Sequence, residues 1–231
     1  MTTDIASSSR RPIRWGHAWR HAILLTATFV ALVPTVYMIS TALKSQDEYV
    51  VDKVGFPSVL VLDHFREALV DSPFLGWMLN STILVLGAVG LSAFVSCLAA
   101  YAIARLSFRG RDTLFAISTS LMAVPPVVMI VPLFVLYTQL SLISTFRGAI
   151  VIYAGLITPF SVYLLTTFFR TLPKELFESA RIDGASDFSI LWRIVLPLSL
   201  PALLTLVVVN ALFVWNDLLI ALVFLGDPNL A

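Results

Sequence analysis

The sequence is poor in charge and in the residues that most often carry catalysis. Of its 231 residues 13% are charged and 58% are hydrophobic, and it has one cysteine and three histidines. Because soluble domains contain about 25% charged residues, an ordinary water-soluble protein is excluded. The single cysteine, Cys97, lies in an apolar stretch without metal-ligand or redox spacing, and we interpret it as a small packing residue.

Motifs for hydrolysis and nucleotide binding are also missing. The sequence has no H-E-x-x-H pair for zinc and no G-x-S-x-G turn for a nucleophilic serine. Its only Lys-Ser pair, Lys44-Ser45, is not preceded by the glycine-rich loop that holds phosphates. A net charge of +1 also provides no basic footprint for nucleic acid. We therefore predict a chain without enzymatic activity, metal, cofactor or nucleic-acid partner.

Long stretches without Asp, Glu, Lys or Arg dominate the chain. Each is at least the ~20 residues that a helix needs to cross a bilayer. Because lipid offers no hydrogen-bond partner to the backbone, such crossings are helical. The sequence therefore predicts an all-α polytopic membrane bundle with five visible crossings. The uncharged runs are 22–43, 72–104, 113–146, 148–169 and 194–216.

Features within the runs predict where the helices begin, break and pack. The second run is expected to begin near Phe74 or Trp77, and the prolines of the third predict a kinked or broken crossing. A short surface helix is expected around 62–70, in an acidic, solvated connection. Small residues every four positions place the second crossing in the bundle interior. The prolines are Pro125, Pro126 and Pro132, and the small residues are Ala88, Ser92, Ser96, Ala100 and Ala104.

The distribution of Lys and Arg predicts the orientation. Positive charge favours the cytoplasmic side, and a cytoplasmic N-terminus places eleven of the 15 basic residues there. We therefore predict a basic cytoplasmic segment over 1–21 and a single transmembrane domain over 22–231. The eleven are Arg10, Arg11, Arg14, Arg20, Arg105, Arg109, Arg111, Arg170, Lys174, Arg181 and Arg193.

One cytoplasmic segment, 170–197, has the pattern of a short helix–turn–helix. Pro173 suits the first turn of a helix, Gly184 the left-handed position that ends one, and Ser186 the cap of the next. The second helix is expected to have an apolar side made by Phe188, Leu191, Trp192 and Val195. These residues alone allow two interpretations: a hairpin held by another protein, or an amphipathic hairpin resting on lipid headgroups.

A signature within this hairpin favours the first interpretation. Glu178-Ser179-Ala180, then Gly184, then Ile194-Val195-Leu196-Pro197 resembles the E-A-A-x3-G-x9-I-x-L-P signature of ABC importer permeases, with Ser179 replacing the middle alanine. The surrounding residues resemble the maltose-type carbohydrate branch of that family. Similarity extends over nearly the whole chain from the first crossing, including 100–105, 108–110, 124–126 and 215–217.

The resemblance implies the helical bundle of a type I ABC importer permease in a bacterial cytoplasmic membrane. It implies ATP and Mg on a partner ATPase dimer, a second permease subunit, an extracytoplasmic solute-binding protein, a carbohydrate substrate and surrounding lipid. Leu196-Pro197 is expected to begin the next crossing, and relatives continue into a sixth crossing after Asp217. The residues expected to couple to the ATPase are Glu178, Ser179, Ala180, Arg181, Asp183, Gly184 and Ala185.

Two points stay open from the sequence. The alternative function is an ATPase-independent secondary transporter or channel, although the five runs contain no ionisable residue for ion coupling. Polar and aromatic residues within the crossings either line a substrate path or pack helices together. These residues are Tyr137, Gln139, Tyr153, Asn210, Trp215 and Asn216.

Overall fold

The computed structural model describes the backbone of residues 15–226 and the side chains of residues 19–226. The predictions for Arg10, Arg11 and Arg14, and for a crossing beyond 226, lie outside this range. In the described part the chain is helical and contains no strand, which confirms the all-α prediction. The helices are α1 (Trp15–Ala42), α2 (Gln46–Val51), α3 (Asp63–Arg66), α4 (Phe74–Arg105), α5 (Arg111–Leu121), α6 (Pro126–Gln139), α7 (Phe146–Thr171), α8 (Lys174–Ile182), α9 (Asp187–Ile190), α10 (Leu196–Leu198), α11 (Leu200–Asn216) and α12 (Leu219–Phe224).

Helix length and hydropathy agree with five crossings. Three helices, α1, α4 and α7, are individually long and apolar enough to span a bilayer. Two bent pairs pass the same test when each pair is taken as one span, which gives up to five: α5 with α6, bent by 102°, and Asp187–Leu198 with α11, bent by 78°. The first bend lies immediately before Pro126, where consecutive prolines remove backbone donors, as the sequence predicts.

The chain divides into two compact units, Met1–Phe74 and Leu75–Ala231. In the first unit, the segment after α1 folds around Lys44, which is 1% exposed. Its ammonium donates to the Asp52 carbonyl at 2.6 Å and lies 3.4 Å from the Asp52 carboxylate. The N–H groups of Gly55 and Val54 donate to that carboxylate and hold the pKa of Asp52 below its usual value. Residues 45–71 are mostly exposed, as expected for a solvated connection, and only the buried ammonium of Lys44 requires partners that organise the backbone around it.

The expected surface helix in this unit is present. It consists of α3 and a π-helical turn over Glu67–Asp71. Helix α2, which the acidic pattern did not predict, begins after Ser45, whose side chain accepts a hydrogen bond from the Glu48 N–H. Such a cap satisfies an N–H that has no partner within the helix.

Helix α4 is buried along one face in the second unit, as expected for a stripe of small residues that permits helix packing. Ala88, Ser92, Ser96 and Ala100 are fully buried, which confirms the prediction of an interior crossing. Cys97 is also buried among apolar neighbours, as expected for a packing residue.

A polar layer separates two apolar clusters in this bundle. One cluster joins α4, α6, α7, α11 and α12, and the other joins α4, α7 and α11 to the helices after residue 173. Between them, the Ser92 hydroxyl lies 3.0 Å from Thr158 Oγ1 and 3.3 Å from Ser161 Oγ. The Asn210 amide donates to Ser161 Oγ at 2.8 Å, so one small network links α4, α7 and α11.

Candidate functional site

Helices α8 and α9 form the hairpin that the sequence predicts, and each begins for a local reason. Pro173 is the N-cap of α8 with φ −59°, one residue before the predicted position. Ser186 caps α9 as predicted, because its hydroxyl accepts a hydrogen bond from the Ser189 N–H at 3.3 Å. The two caps fix where α8 and α9 begin.

The turn between the two helices is a Schellman motif. Gly184 has φ +81°, a left-handed conformation that side chains disfavour. The Gly184 N–H donates to the Arg181 carbonyl and the Ala185 N–H donates to the Ala180 carbonyl. These two bonds satisfy carbonyls that the end of α8 otherwise leaves unpaired, which explains why glycine follows this helix.

The hairpin has a buried side and an exposed tip. Phe177 and Ala180 pack into the apolar cluster that contains the last turns of α4 and α7 and the first turns of α11. On the other side of α8, Glu178 is exposed and Ile182 has 86% of its surface accessible.

The second helix of the hairpin differs from its prediction. We expected Phe188, Leu191, Trp192 and Val195 to share an apolar side, but Phe188 and Trp192 are exposed while Leu191 and Val195 are buried with Ile190. Ile190 and Leu191 set the buried side of this helix, so Phe188 faces outward, and a π-helical turn over Leu191–Val195 then changes the direction of the residues that follow. The outward Phe188 and Trp192 rings instead contact each other, with centroids 5.9 Å apart.

The residues expected to begin the next crossing, Leu196-Pro197, form the short helix α10. The longer helix of the same bent pair, α11, begins at Leu200 after the 78° bend. Prolines at 197 and 201 flank the bend and remove backbone donors on both sides of it.

Arg105, in the last turn of α4, connects the hairpin to the bundle. Its guanidinium donates to the Phe169 carbonyl and, at 2.7 Å, to the Leu172 carbonyl at the end of α7. A cation is favourable at this negative end of a helix dipole. The same guanidinium lies over the Phe177 ring, 4.0 Å from its centroid. In the sequence, Arg105 served to predict the membrane orientation, and this role of its side chain was missed.

Of the seven residues predicted for coupling, five are exposed on the hairpin. Ala185 is half-buried, and Ala180 faces the bundle, where its small size permits close packing. The Ser179 hydroxyl donates to the Leu176 carbonyl of its own helix at 3.2 Å. The exposed five are Glu178, Ser179, Arg181, Asp183 and Gly184.

A cavity of about 530 Å³ lies beside the polar layer, among α5, α6, α7 and α11. This volume is within the range of small-molecule sites. Its wall is mostly apolar and aromatic, with Phe160 and Phe213 among the lining residues. Tyr137 and Asn210 contribute polar groups, and they are the two predicted path residues that the cavity brings together.

The other four predicted path residues lie elsewhere. Tyr153 is fully buried and donates from its hydroxyl to Asp217 Oδ2 at 2.7 Å. The Asn216 amide donates to the Leu212 carbonyl of its own helix at 2.8 Å. Gln139, Trp215 and Asn216 are exposed at helix ends. The aromatic cavity residues were missed because an apolar stretch does not show which of its side chains face a gap.

Comparison with known proteins identifies the family. A family model for binding-protein-dependent transport system inner membrane components matches residues 92–231. The diacetylchitobiose uptake system permease protein NgcG of Streptomyces coelicolor is 30% identical over 224 residues, which cover 97% of this chain and 73% of that relative. The alpha-glucoside transport system permease protein AglG of Rhizobium meliloti is 37% identical over 175 residues, which cover 74% of this chain and 46% of that relative.

A solved structure shares the fold. It is a bacterial ABC transporter involved in the import of the acidic polysaccharide alginate, with a TM-score of 0.84 and 25% identity, covering 98% of this chain and 79% of that chain. The resemblance noted in residues 178–197 is thereby confirmed. The chain belongs to the family of binding-protein-dependent transport system inner membrane components and is a multi-pass plasma-membrane permease of the ABC importer type.

Proposed function

We propose that this chain is the transmembrane permease subunit of an ATP-driven carbohydrate importer, and that its hairpin couples ATP hydrolysis on a partner to alternating access. The observation that carries the proposal is that the hairpin has one buried side and one exposed tip. Its inner side is buried in the bundle, whereas Glu178, Ile182 and Gly184 are exposed at its tip. A partner that moves the tip therefore also moves the ends of three crossing helices.

The energy source in this proposal is external to the chain. ATP and Mg are held by a dimer of ATPase subunits, while a second permease completes the pathway and an extracytoplasmic solute-binding protein delivers the substrate. Arg105, Arg111, Arg170 and Arg181 lie at the hairpin end of the bundle. This concentration of positive charge supports a cytoplasmic hairpin and N-terminus in a bacterial membrane.

A carbohydrate substrate is supported by the cavity and by the names of the relatives. Sugars present hydroxyl groups at their edges and C–H groups on their ring faces, so they bind through hydrogen bonds and stacking. The cavity offers aromatic rings at Tyr137, Phe160 and Phe213, and an amide at Asn210. Because the Asn210 nitrogen donates to Ser161, the amide oxygen is left to accept a sugar hydroxyl.

The test of coupling compares two glutamates on α8. Glu178→Lys reverses a charge on the exposed helix near the tip, and Glu175→Lys makes the same change in its first turn. The permease pair is purified with its ATPase, reconstituted with the solute-binding protein, and assayed for sugar uptake and ATP hydrolysis. We expect Glu178→Lys to reduce uptake at least tenfold with the protein still inserted, while Glu175→Lys retains most uptake.

Two results would contradict the proposal. Uptake that is equal in both variants removes the coupling role of the tip. Purified permease that transports in liposomes without any ATPase favours the secondary transporter or channel instead.

The substrate path is tested separately with two asparagines. Asn210→Ala removes the cavity amide, and Asn216→Ala removes an amide that bonds to its own helix. We expect Asn210→Ala to raise the sugar concentration needed for half-maximal uptake and Asn216→Ala to leave it unchanged. Equal values for Asn210→Ala and the unaltered chain would exclude this cavity from the path.

A further inference from the structure

A network of three side chains connects α4 to the hairpin. The Tyr101 hydroxyl donates to Asp187 Oδ1 at 3.1 Å, and the Arg181 guanidinium donates to the same oxygen at 2.9 Å. Tyr101 is 4% exposed and lies one turn before Arg105, whereas Arg181 and Asp187 lie on opposite sides of the hairpin turn. One carboxylate oxygen therefore joins three helices: α4, α8 and α9.

We propose that Tyr101, Arg181 and Asp187 form a joint that makes the hairpin turn and the last turns of α4 move as one body. The proposal rests on the proposed function, because the joint matters when an ATPase subunit moves the tip. In this role the three are positioning residues, which act on transport through α4.

Directional bonds are what distinguish this joint from the apolar packing around it. Packed helices slide past one another by small shear movements at little cost, and the buried contacts of Phe177 and Ala180 permit such sliding. A hydrogen bond weakens steeply when its angle falls below about 120°. A shear of the hairpin along α4 therefore breaks the bond from Tyr101 while the apolar contacts persist.

The arrangement of donors supports transmission in a defined direction. Arg105 holds the end of α7 and covers Phe177, while Tyr101 holds the start of α9 through Asp187. Two adjacent turns of α4 are therefore attached to both sides of the hairpin. Movement of the tip reaches α4 through Asp187 and reaches α7 through Arg105.

The charge of Arg181 also has a specific use here. Asp187 is about half exposed, so water alone satisfies its carboxylate. The guanidinium instead orients the carboxylate, and its hydrogen bond lowers the pKa of a group that is already ionised at neutral pH. An ionised Oδ1 is a stronger acceptor for the Tyr101 hydroxyl than a protonated carboxyl.

The experiment measures sugar molecules imported per ATP hydrolysed in the reconstituted full complex. Tyr101→Phe removes the hydroxyl and keeps the ring. Tyr163→Phe is the matched control, because its ring stacks on Phe115 at 6.1 Å on another face of the bundle. We expect Tyr101→Phe and Asp187→Asn to lower the transport ratio about fivefold, the factor expected for one hydrogen bond, with ATP hydrolysis retained. Tyr163→Phe keeps the unaltered ratio.

A charge exchange separates a joint from general destabilisation. Arg181→Glu and Asp187→Arg each place like charges together, and the double variant restores an ion pair between the same positions. We expect each single variant to lose coupling and the double variant to recover at least half of the ratio. If the two residues only stabilise the fold, we expect the losses of transport ratio in the two single variants to add in the double variant.

The outcomes distinguish the joint from the function on which it rests. A wild-type transport ratio in Tyr101→Phe and Asp187→Asn, with ATP-driven uptake intact in the unaltered complex, overturns the joint alone. Uptake by the unaltered complex that does not depend on ATP removes the proposed function, and the joint with it. We also expect the backbone amides of residues 183–190 to exchange hydrogen faster in Tyr101→Phe than in Tyr163→Phe. Equal exchange in the two variants counts against the joint.

Discussion

The guanidinium of Arg105 lies 4.0 Å from the ring centroid of Phe177, so the last turn of α4 covers the first helix of the hairpin. Because the same group donates to two carbonyls at the end of α7, one side chain joins three elements. This contact is the basis of the first prediction.

Arg105→Ala is expected to lower the free energy of unfolding by about 2–3 kcal/mol, as hydrogen bonds to charged groups are lost along with packing. Arg105→Lys retains the charge but not the planar group over Phe177, so its loss is smaller. Thermal unfolding in detergent measures whether Arg105→Ala loses more stability than Arg105→Lys. Arg193→Ala, at an exposed site on the hairpin, serves as the control, and an equal loss in both alanine variants would contradict the role of Arg105.

Gly184 is expected to tolerate asparagine better than alanine. Its φ of +81° strains side chains, and asparagine accepts left-handed conformations more readily than alanine does. No neighbour lies within 4 Å of an added Cβ, so backbone strain of about 1–2 kcal/mol is the main cost. Unfolding midpoints are expected to fall in the order glycine, asparagine, alanine. Gly90→Ala, inside α4 and also open, is the control and is expected to cause no loss.

Asp217→Ala is expected to destabilise the bundle more than Tyr153→Phe. Asp217 Oδ2 accepts from the Tyr153 hydroxyl at 2.7 Å and from the Ile220 N–H at 2.9 Å, so its loss affects both α7 and the start of α12. Loss of a cap alone costs about 1 kcal/mol. Asp217→Asn, which keeps an acceptor oxygen, is expected to fall between the two. Unfolding in detergent gives the ranking, and an equal effect of Tyr153→Phe and Asp217→Ala would show that the cap contributes nothing.

Ser161 and Asn210 are expected to be energetically coupled. Their side chains form a 2.8 Å hydrogen bond between α7 and α11 inside the bundle. Such bonds between membrane helices are worth about 0.6 kcal/mol on average. A double-mutant cycle with Ser161→Ala and Asn210→Ala measures the coupling energy. A cycle with Ser161→Ala and Asn216→Ala is the control, and its coupling energy is expected to be near zero.

The ion pair between Arg181 and Asp187 is expected to contribute stability that depends on pH. The hydrogen bond from Arg181 lowers the pKa of Asp187 in the folded chain, so the folded state binds its proton less readily than the unfolded state does. The contribution is therefore complete above the unfolded pKa of about 3.9 and is lost as the pH falls through the lower folded value. The difference in unfolding temperature between the chain and Asp187→Asn is expected to be constant above about pH 5 and to shrink toward acid. A difference that grows on acidification would contradict the assignment.

Local patterns were sufficient to predict the crossings and the hairpin caps. Uncharged runs mark the crossings because lipid excludes unpaired charge and unpaired backbone groups alike. Gly184 and Ser186 mark the hairpin because their conformational and hydrogen-bonding preferences act within a few residues. The prolines before α6 likewise mark a break without knowledge of any neighbour.

Contacts between distant residues required the tertiary structure. Tyr101 and Asp187 are 86 positions apart, and Asn210 and Ser161 are 49 apart, so no local pattern links them. The exposed position of Phe188 depends on which side of its helix packs against the bundle, which the sequence pattern does not reveal. The cavity similarly depends on which apolar side chains of neighbouring helices leave a gap between them.

The sequence by itself determined the class of protein, the number of visible crossings and the position of the hairpin. These properties depend on the transfer of residues between water and lipid and on short-range backbone preferences, both of which are local. The place where a partner ATPase acts in the proposed function came instead from the resemblance to the permease signature. The tertiary structure decided which side of the hairpin is buried, which polar groups meet between helices and which candidate residues face the cavity. Those properties depend on the packing of helices far apart in the chain, where a rotation of a helix by about half a turn exchanges buried for exposed side chains.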